Sequence, residues 1–404
     1  MTEPLTESAD TREVSLGEIA LVFLKLGTIA FGGPAAHLAM MEEEFVRRRR
    51  WITQAEFLDR LATANLIPGP SSTEVAIFIG QLKRGWRGLL VAGCCFIIPA
   101  ALIVLAIAWA YVRFGSLPKV EGVLSAIKPA VVAIVIQALV KLGRTGVRAI
   151  PLAVIAMVAA VLSFAGVGPV LVLIFTGLGS WAVWALKKRS TGGNVVGIST
   201  VAFPKAFEVQ KIIGAPKMAA AAVAVASAGA VFPAVLWRLF LSFLKIGSVM
   251  FGSGMVLLAF LQTEFVEHLH WLTERQLFDA VAVGQFTPGP LSATATFIGY
   301  IVAGWKGAVV ATIGIFLPGF LLVAASGPLL PRLRRSAGVA AALDGVVAGS
   351  LALMGVVAWQ LAKGAIVDWM TAAVLCASLV ALLRFRVNSA WVIAAAAMVG
   401  WMVR

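Results

Sequence analysis

Charge is what this sequence has least of. Only 13% of its 404 residues are Asp, Glu, Lys or Arg, 60% are apolar, and the mean hydropathy is +0.96. An ordinary soluble domain is about a quarter charged, so this composition excludes a water-covered globular surface and calls for a bilayer as solvent. Cysteine is scarce as well. Cys94, Cys95 and Cys376 lie inside apolar runs with neither C-x-x-C spacing nor a histidine cluster, which excludes a disulfide framework and a metal centre, and Cys94-Cys95 reads as core packing. No dinucleotide fingerprint, haem motif or metal-spaced Cys/His set is present, so no cofactor is expected and a membrane-bound reductase is set aside in favour of a protein that is not an enzyme. The polar, mostly acidic tail, 1–14, lacks the positive start and small-residue cleavage site of a signal peptide, so the first apolar run is expected to stay in the mature protein. Acidic residues number 19 against 33 Lys and Arg, a net charge of +14 with a pI near 10.3. The basic residues fall in short loops between apolar runs, where they set topology, so nucleic acid is excluded as a partner and membrane lipid is the surrounding medium.

What is present is a repeat. Phe23-Leu24-Lys25-Leu26-Gly27 returns as Phe243-Leu244-Lys245-Ile246-Gly247, an offset of 220 from Lys25 to Lys245. The same offset relates Phe31-Gly32 to Phe251-Gly252, Glu44-Phe45-Val46 to Glu264-Phe265-Val266, Trp51 to Trp271, Asp59 to Asp279, and Pro68-Gly69-Pro70 to Pro288-Gly289-Pro290. After one deletion it becomes 219, pairing Gly80 with Gly299, Gly85-Trp86 with Gly304-Trp305, and Pro99 with Pro318. The chain therefore divides into homologous halves, 15–186 and 236–404, joined by a polar linker, 187–217, and an apolar connecting segment, 218–235.

Crossings of about 20 apolar residues fit near 88–112, 123–142, 149–166 and 168–186. Before them, two apolar segments are each cut in the middle, at Phe31-Gly32-Gly33-Pro34 and at Pro68-Gly69-Pro70. The piece after Pro34 reaches only Met41 before Glu42-Glu43-Glu44, about half a membrane at 1.5 Å per residue, so both segments read as re-entrant helical hairpins with tips near the midplane. The fold class is then an all-α polytopic membrane protein: two inverted-topology repeats, each with two broken re-entrant hairpins and about four transmembrane helices. Charge supports the inversion. Arg47 to Arg50, Lys83-Arg84 with Arg87, Lys141 with Arg144 and Arg148, and Lys187-Lys188-Arg189 fall on one face, which the positive-inside rule makes cytoplasmic; in the second half the basic clusters move to the opposite loops, at Arg332, Arg334 and Arg335 and at Arg384 and Arg386. The amino terminus and linker are then cytoplasmic. A competing layout makes 16–36 a full crossing, keeps 218–235 out of the bilayer and puts the amino terminus outside.

The Pro-Gly-Pro elements carry the strongest local signal. Pro68 disfavours helix before it, and Pro70 suits the first position of the next helix. A helix amino terminus is left inside the membrane, with the N–H groups of Ser71, Ser72 and Thr73 and their hydroxyls forming an anion site; Gly32-Gly33-Pro34 would present Ala35, Ala36 and His37 similarly. The bland alternative is that Gly and Pro only kink packed helices. Lys25 and Lys245, each mid-run in an apolar segment, are candidate counter-charges for a dianion, with snorkelling to the interface as the alternative. Glu74, one turn past Pro70, is a candidate for proton coupling or, equally, a partner of the helix dipole, and its counterpart is Thr294 or Ala293. His37 is a second proton-coupling candidate or a packing residue. Trp51 and Trp271 read as interfacial anchors.

Taken together, Phe-Leu-x-x-Gly, Phe-Gly-Gly, Glu-Phe-Val, Trp, Pro-Gly-Pro and Gly-Trp-x-Gly, twice over, resemble the chromate ion transporter family in its long two-domain form. The resemblance implies a multi-pass protein of the bacterial inner membrane that exports chromate and confers chromate resistance, with sulfate as a second oxyanion, protons as coupling ion in an antiporter driven by the proton motive force, and a homodimer as a candidate assembly. A general sulfate-like carrier and a passive anion channel stand as alternatives. Family features map onto Gly32, Gly33, Pro68, Gly69, Pro70, Pro288, Gly289 and Pro290, with Gly252 and Ser292 at the matching second-half positions. Asn65 replaces the Gln seen as Gln285, and Gly252-Ser253-Gly254 replaces Gly32-Gly33-Pro34, so the halves are expected to differ, with the hydroxyl-rich first half dominating binding.

Overall fold

The computed structural model describes residues 13–31, 33–65, 67–114, 118–146, 149–190, 233–251, 256–334, 336–385 and 387–403, and every regular element among them is helical. The first half comprises α1 (Leu16–Ile29), α2 (Gly33–Glu42) running into a π-helical turn (Glu43–Arg48), α3 (Gln54–Ala64), α4 (Ser71–Phe114), α5 (Pro118–Gly146), α6 (Ile150–Phe164) and α7 (Pro169–Ser190). The second comprises α8 (Ala234–Val249), α9 (Leu257–Leu261) with its own π-helical turn (Gln262–His268), α10 (Glu274–Phe286), a 3-10 turn (Leu291–Ala293), α11 (Thr294–Arg334), α12 (Ala337–Ala365), α13 (Trp369–Leu383) and α14 (Ser389–Val403). Helix α7 runs through Ser190, so the linker begins one turn later than expected; residues 191–232, most of the linker and connecting segment, lie outside the described residues, as do Gly32 and Gly252.

The repeat extends to backbone detail. Thr53 and Thr273 open α3 and α10 with capping boxes to Glu56 and Gln276. Among the described residues, the two non-glycine positions with positive φ, Arg50 at 51° and His270 at 52°, follow the two π-helical turns. Both long helices break at matching points, Arg84-Gly85 and Ala303-Gly304, where the glycines take φ of 56° and 62°. A Cβ there would be strained, and the break folds a short leg back onto the rest of its helix. The fold-back is tight: a Cβ on Gly80 would lie 2.3 Å from the Gly88 carbonyl oxygen, and one on Gly299 2.3 Å from that of Gly307. Only small residues permit backbones to approach this closely.

Packing sets where the halves meet. Residues Leu89, Ala92 and Phe96 of α4 belong to a core with Phe23, Phe45 and Phe57 of the first half, whereas Ala100, Val104 and Ala108 of the same helix belong to a core with Phe243, Phe265 and Phe297 of the second. At one end of α4, Arg84 Nε donates to the Val14 carbonyl at 2.6 Å; at the other, the Tyr111 hydroxyl donates to Asp279 of α10 at 2.8 Å. The paired short helices of the two halves thus sit at opposite ends of α4, about 40 Å apart along its axis. Beyond them the halves interlock, α5 packing on α12, α13 and α14 while α12 packs on α5, α6 and α7.

Five of the described helices are long and apolar enough to cross a membrane: α4, α5, α7, α11 and α12. Helices α6, α13 and α14 have 15 residues each, about 22 Å of rise, shorter than a hydrocarbon core of about 30 Å. The expected crossing at 149–166 is therefore a short helix.

Two sequence expectations change. Trp51 is no interfacial anchor; it is 5% exposed and stacked on Phe45 at 5.1 Å beneath the Arg49 guanidinium, whereas Trp271 is half-buried and lies tilted against Phe265 at 6.2 Å. Cys94 is exposed in an apolar groove between α4 and α11 and is not core packing. Arg49 is also more than topogenic, donating at 2.7 Å to both Glu44 and Glu18 and so tying the π-helical turn to α1. Burial pushes the Glu44 carboxyl up, but the Arg49 hydrogen bond and the charges of Arg48, Arg49 and Lys25 outweigh it and hold it below the usual range.

Candidate functional site

The Pro68-Gly69-Pro70 turn takes the chain from α3 into α4 through Gly69 at φ +141°, a conformation open to glycine. Residues Ser71 to Glu74 form the first turn of α4 and are all buried. The Thr73 amide is engaged, donating to the Pro70 carbonyl at 2.7 Å, so this N–H is not available to an anion as the sequence reading supposed. The hydroxyls are the more available donors: Thr73 Oγ1 is buried without a partner. The Ser72 hydroxyl faces Nδ1 of His37 at 3.3 Å, and His37 Nε2 faces the Ala30 carbonyl at 3.0 Å. A carbonyl only accepts, so Nε2 carries a proton and, in the neutral ring, Nδ1 accepts from Ser72. His37 is 1% exposed and edge-on to Phe96.

Glu74 is fully buried, and neither carboxyl oxygen has a hydrogen-bond partner. Its side chain folds back over the turn: a Cβ on Gly69 would lie 1.6 Å from Oε1, so the carboxyl fills the space a residue 69 side chain would take. On its other side, a Cβ on Gly319 of α11 would lie 3.5 Å away.

The two Pro-Gly-Pro turns cross over to the opposite halves. The Gly69 amide donates to the carbonyl of Met250, the residue that ends α8, at 2.5 Å; the Gly289 amide donates to the carbonyl of Ala30, the residue that ends α1, at 2.9 Å. These bonds are equivalent under the repeat and reciprocal, the signature of a two-fold relation between halves. Each turn also meets the middle of the other half's long helix, Gly289 against Ala100 and the Gly69–Glu74 pair against Gly319. The turns at Pro68 and Pro288 and the ends of α1 and α8 therefore converge at one place, between the halves.

The second-half turn is poorer in polar groups. Gly289 has φ +87°, Ser292 Oγ is buried without a partner, and Thr294 Oγ1 donates to its own turn at the Leu291 carbonyl. The Ala293 amide donates to Pro290 as Thr73 does to Pro70, so the register makes Thr294 the counterpart of Glu74. Leu257 stands where His37 does. Gly33, at φ +78°, opens α2 beside the first break.

The two lysines are not part of this convergence. Lys25 is on the exposed face of α1 within electrostatic range of Glu44, and Lys245 is about half exposed and bonded through Nζ to Glu264. Each pairs with the π-helical turn of its own half, which corrects the expectation that they flank one anion together. Sequence reasoning also missed the Ala30 and Met250 carbonyls, which accept the Gly289 and Gly69 amides, and a separate contact in which the Tyr111 hydroxyl donates to buried Asp279.

The sequence pattern of the family described as Chromate transporter matches residues 17–181 and 237–401, one match in each half. A Chromate transport protein of Cupriavidus metallidurans is 32% identical over 96% of this chain and 92% of its own length. A Chromate transport protein of Pseudomonas aeruginosa is 30% identical over 86% of this chain and 81% of its own. An uncharacterized transporter of Bacillus subtilis is 29% identical over 32% of this chain but 73% of itself, a unit near the size of one half. No solved structure matches. With its two matched halves and these near full-length relatives, the chain belongs to the chromate transporter family.

Proposed function

We propose that this protein exports chromate, a tetrahedral dianion, by alternating access at the junction of its two Pro-Gly-Pro turns. The observation that carries this reading is the reciprocal pair of bonds from Gly69 to Met250 and from Gly289 to Ala30, which joins two broken helices of each half at one buried point. Helix amino termini and hydroxyls gathered between repeats are the means by which transporters with broken helices hold anions. The first-half turn supplies most of the donors, Thr73 directly and Ser72 once its one hydroxyl proton turns from His37 Nδ1 to the anion, and Ser292 supplies the second-half one.

The same geometry supports inverted halves. If α4 spans the bilayer, short helices packed at its opposite ends enter from opposite faces, as re-entrant hairpins do. The positive-inside rule then makes the Arg47–Arg50 end cytoplasmic.

Glu74 is proposed as the proton-carrying group, with His37 orienting Ser72. An ionised carboxylate beside the anion would oppose binding, and one with no donor is costly to bury. Chromate and a proton on Glu74 therefore favour each other, and the two travel in the same direction. This changes the expected coupling from antiport to co-export: one net negative charge leaves per cycle, driven by the membrane potential at about 2.3 kcal/mol per 100 mV.

Uptake of labelled chromate into everted membrane vesicles tests this. Respiring vesicles, positive inside, should accumulate chromate, with sulfate competing. Valinomycin with potassium should abolish accumulation, while nigericin, which removes only the pH gradient, should not. Absence of accumulation under any gradient would defeat the transporter reading, and loss with nigericin alone would restore antiport.

A further inference from the structure

In the first half, buried polar atoms without a hydrogen-bond partner do not stop at the Pro-Gly-Pro turn. Besides Thr73 and Glu74 of α4, Arg60 Nε and Thr63 Oγ1 of α3 are buried without one among the described residues. The two residues are three apart, so they share a helix face about 4.5 Å apart along the axis, with Thr63 in the last turn of α3. Thr63 is 0% exposed, and Arg60 is half-buried. One turn before Arg60, Glu56 is committed to the helix cap, its Oε2 accepting from the Thr53 amide at 2.9 Å and from the Thr53 hydroxyl at 3.1 Å. Helix α3 begins beside the Arg47–Arg50 run, ends just before Pro68 and packs on α4, whose first turn carries Thr73.

A charged donor buried without an acceptor costs more than a neutral one, so a bare Arg60 Nε calls for a reason other than folding. The repeat supplies the comparison. At the register of 220 residues, Ala280 and Val283 stand where Arg60 and Thr63 do, in a helix opened by the same kind of capping box. Apolar side chains therefore satisfy the fold at both places. Only the half with the hydroxyl-rich turn carries a cation and a hydroxyl there.

We propose that Arg60 and Thr63 form an oxyanion station on α3, on the Arg47–Arg50 side of the junction, where a tetrahedral dianion accepts from Arg60 Nε and Thr63 Oγ1 before it passes to Thr73 and Ser72. The inference rests on the transport reading above, and it gives that path the positive charge that Lys25 and Lys245 do not supply. Neither donor atom has an internal bond to give up when the anion arrives. One dianion is held at a time, because two so close together would repel each other. The station serves one face, since Ala280 offers no equivalent on the other.

The test pairs stability with flux in the full-length protein. Arg60→Ala, which installs the second-half residue, should leave the melting temperature in detergent unchanged or higher. In proteoliposomes of known orientation it should raise the half-saturating chromate concentration from the Arg47–Arg50 face at least about tenfold, the worth of one charged hydrogen bond, with little change from the other face. Thr63→Val, which keeps the shape, should raise the same constant about fivefold, and Arg60→Lys should restore part of what Arg60→Ala loses. Saturating chromate should raise the melting temperature of the wild type more than that of Arg60→Ala. A lower melting temperature of Arg60→Ala with unchanged half-saturation would make Arg60 a packing residue and overturn the station, as would equal shifts from both faces. Where Arg60→Ala fails to assemble, Thr63→Val decides, and unchanged half-saturation in it overturns the station while leaving the transport reading intact. A wild-type protein that moves no chromate from either face would overturn both.

Discussion

Gly69→Ala tests the seat of Glu74 most sharply. Two costs separate. At φ +141° a side chain is strained, worth about 1–3 kcal/mol. The new methyl would also lie 1.6 Å from Glu74 Oε1, so the carboxyl must leave its place between Gly69 and Gly319. Overpacking of this kind costs about 1–3 kcal/mol more, for a total of about 2–6 kcal/mol. Only the second cost depends on Glu74. In a Glu74→Ala background the methyl enters vacated space, and Gly69→Ala should cost the strain alone, a coupling of about 1–3 kcal/mol in a double-mutant cycle. Unfolding in mixed micelles, followed by tryptophan fluorescence, measures all four corners. Gly289→Ala is the control: its Cβ would lie 2.7 Å from Ala100 Cβ, which Glu74→Ala does not relieve. A Gly69→Ala penalty that is the same in both backgrounds, within about 0.5 kcal/mol, would refute the folded-back carboxyl.

Other outcomes follow from the same geometry. His37→Phe should leave Ser72 and the Ala30 carbonyl without their ring partner and reduce chromate flux, while His37→Gln, which can still bond, should retain part of it; equal loss in both would make the ring a packing element. In a background with Cys94, Cys95 and Cys376 replaced, cysteines at Lys187 and Thr273 should react with membrane-impermeant thiol reagents from opposite faces, and labelling of both from one face would end the inverted arrangement. Because the Glu44 carboxyl is held below its usual range, its contribution to stability is fully present above its unfolded value of about 4.3 and is lost as pH falls through the lower folded value. Arg49→Met should flatten that acid-side loss in a melting series, and an unchanged acid profile would remove Arg49 as the group responsible.

The parts of this fold that sequence made legible are those with a backbone chemistry of their own. Proline and glycine announce the break at Pro68-Gly69-Pro70, and the 220-residue register announces the repeat, because both leave marks in residue identity; Gly85 shows in the sequence only as a repeat match, and its break is seen in the structure. The cross-half bonds of Gly69 and Gly289 leave none, since an amide and a carbonyl are present at every position. The lysines were misplaced for a different reason. An apolar run says that a segment is buried somewhere, not which face; on α1 the buried residues are Ile19, Val22, Phe23 and Leu26, and Lys25 shares the outer face with Leu21 and Thr28. Helical periodicity holds that information, and Lys245, beside Leu241 and Ser248, repeats it. Lys128 broke the apolar run of α5 just as visibly, but its partner Asp279 lies in the other half, and sequence distance hides such pairs. Chromate itself came from resemblance, because helix ends and hydroxyls suit any tetrahedral oxyanion.

The central claim is that the oxyanion rests at the hydroxyl-lined start of α4, where the two halves cross. Equilibrium binding of labelled chromate to the purified protein tests it directly, comparing the wild type with the Ser72→Ala, Thr73→Ala double variant and with Ser292→Ala. One site per chain is expected, displaced by sulfate, weakened at least about tenfold by loss of the two first-half hydroxyls, each worth about 1 kcal/mol, and weakened less by Ser292→Ala. Chromate bound with unchanged affinity by the double variant would put the anion elsewhere and contradict the account.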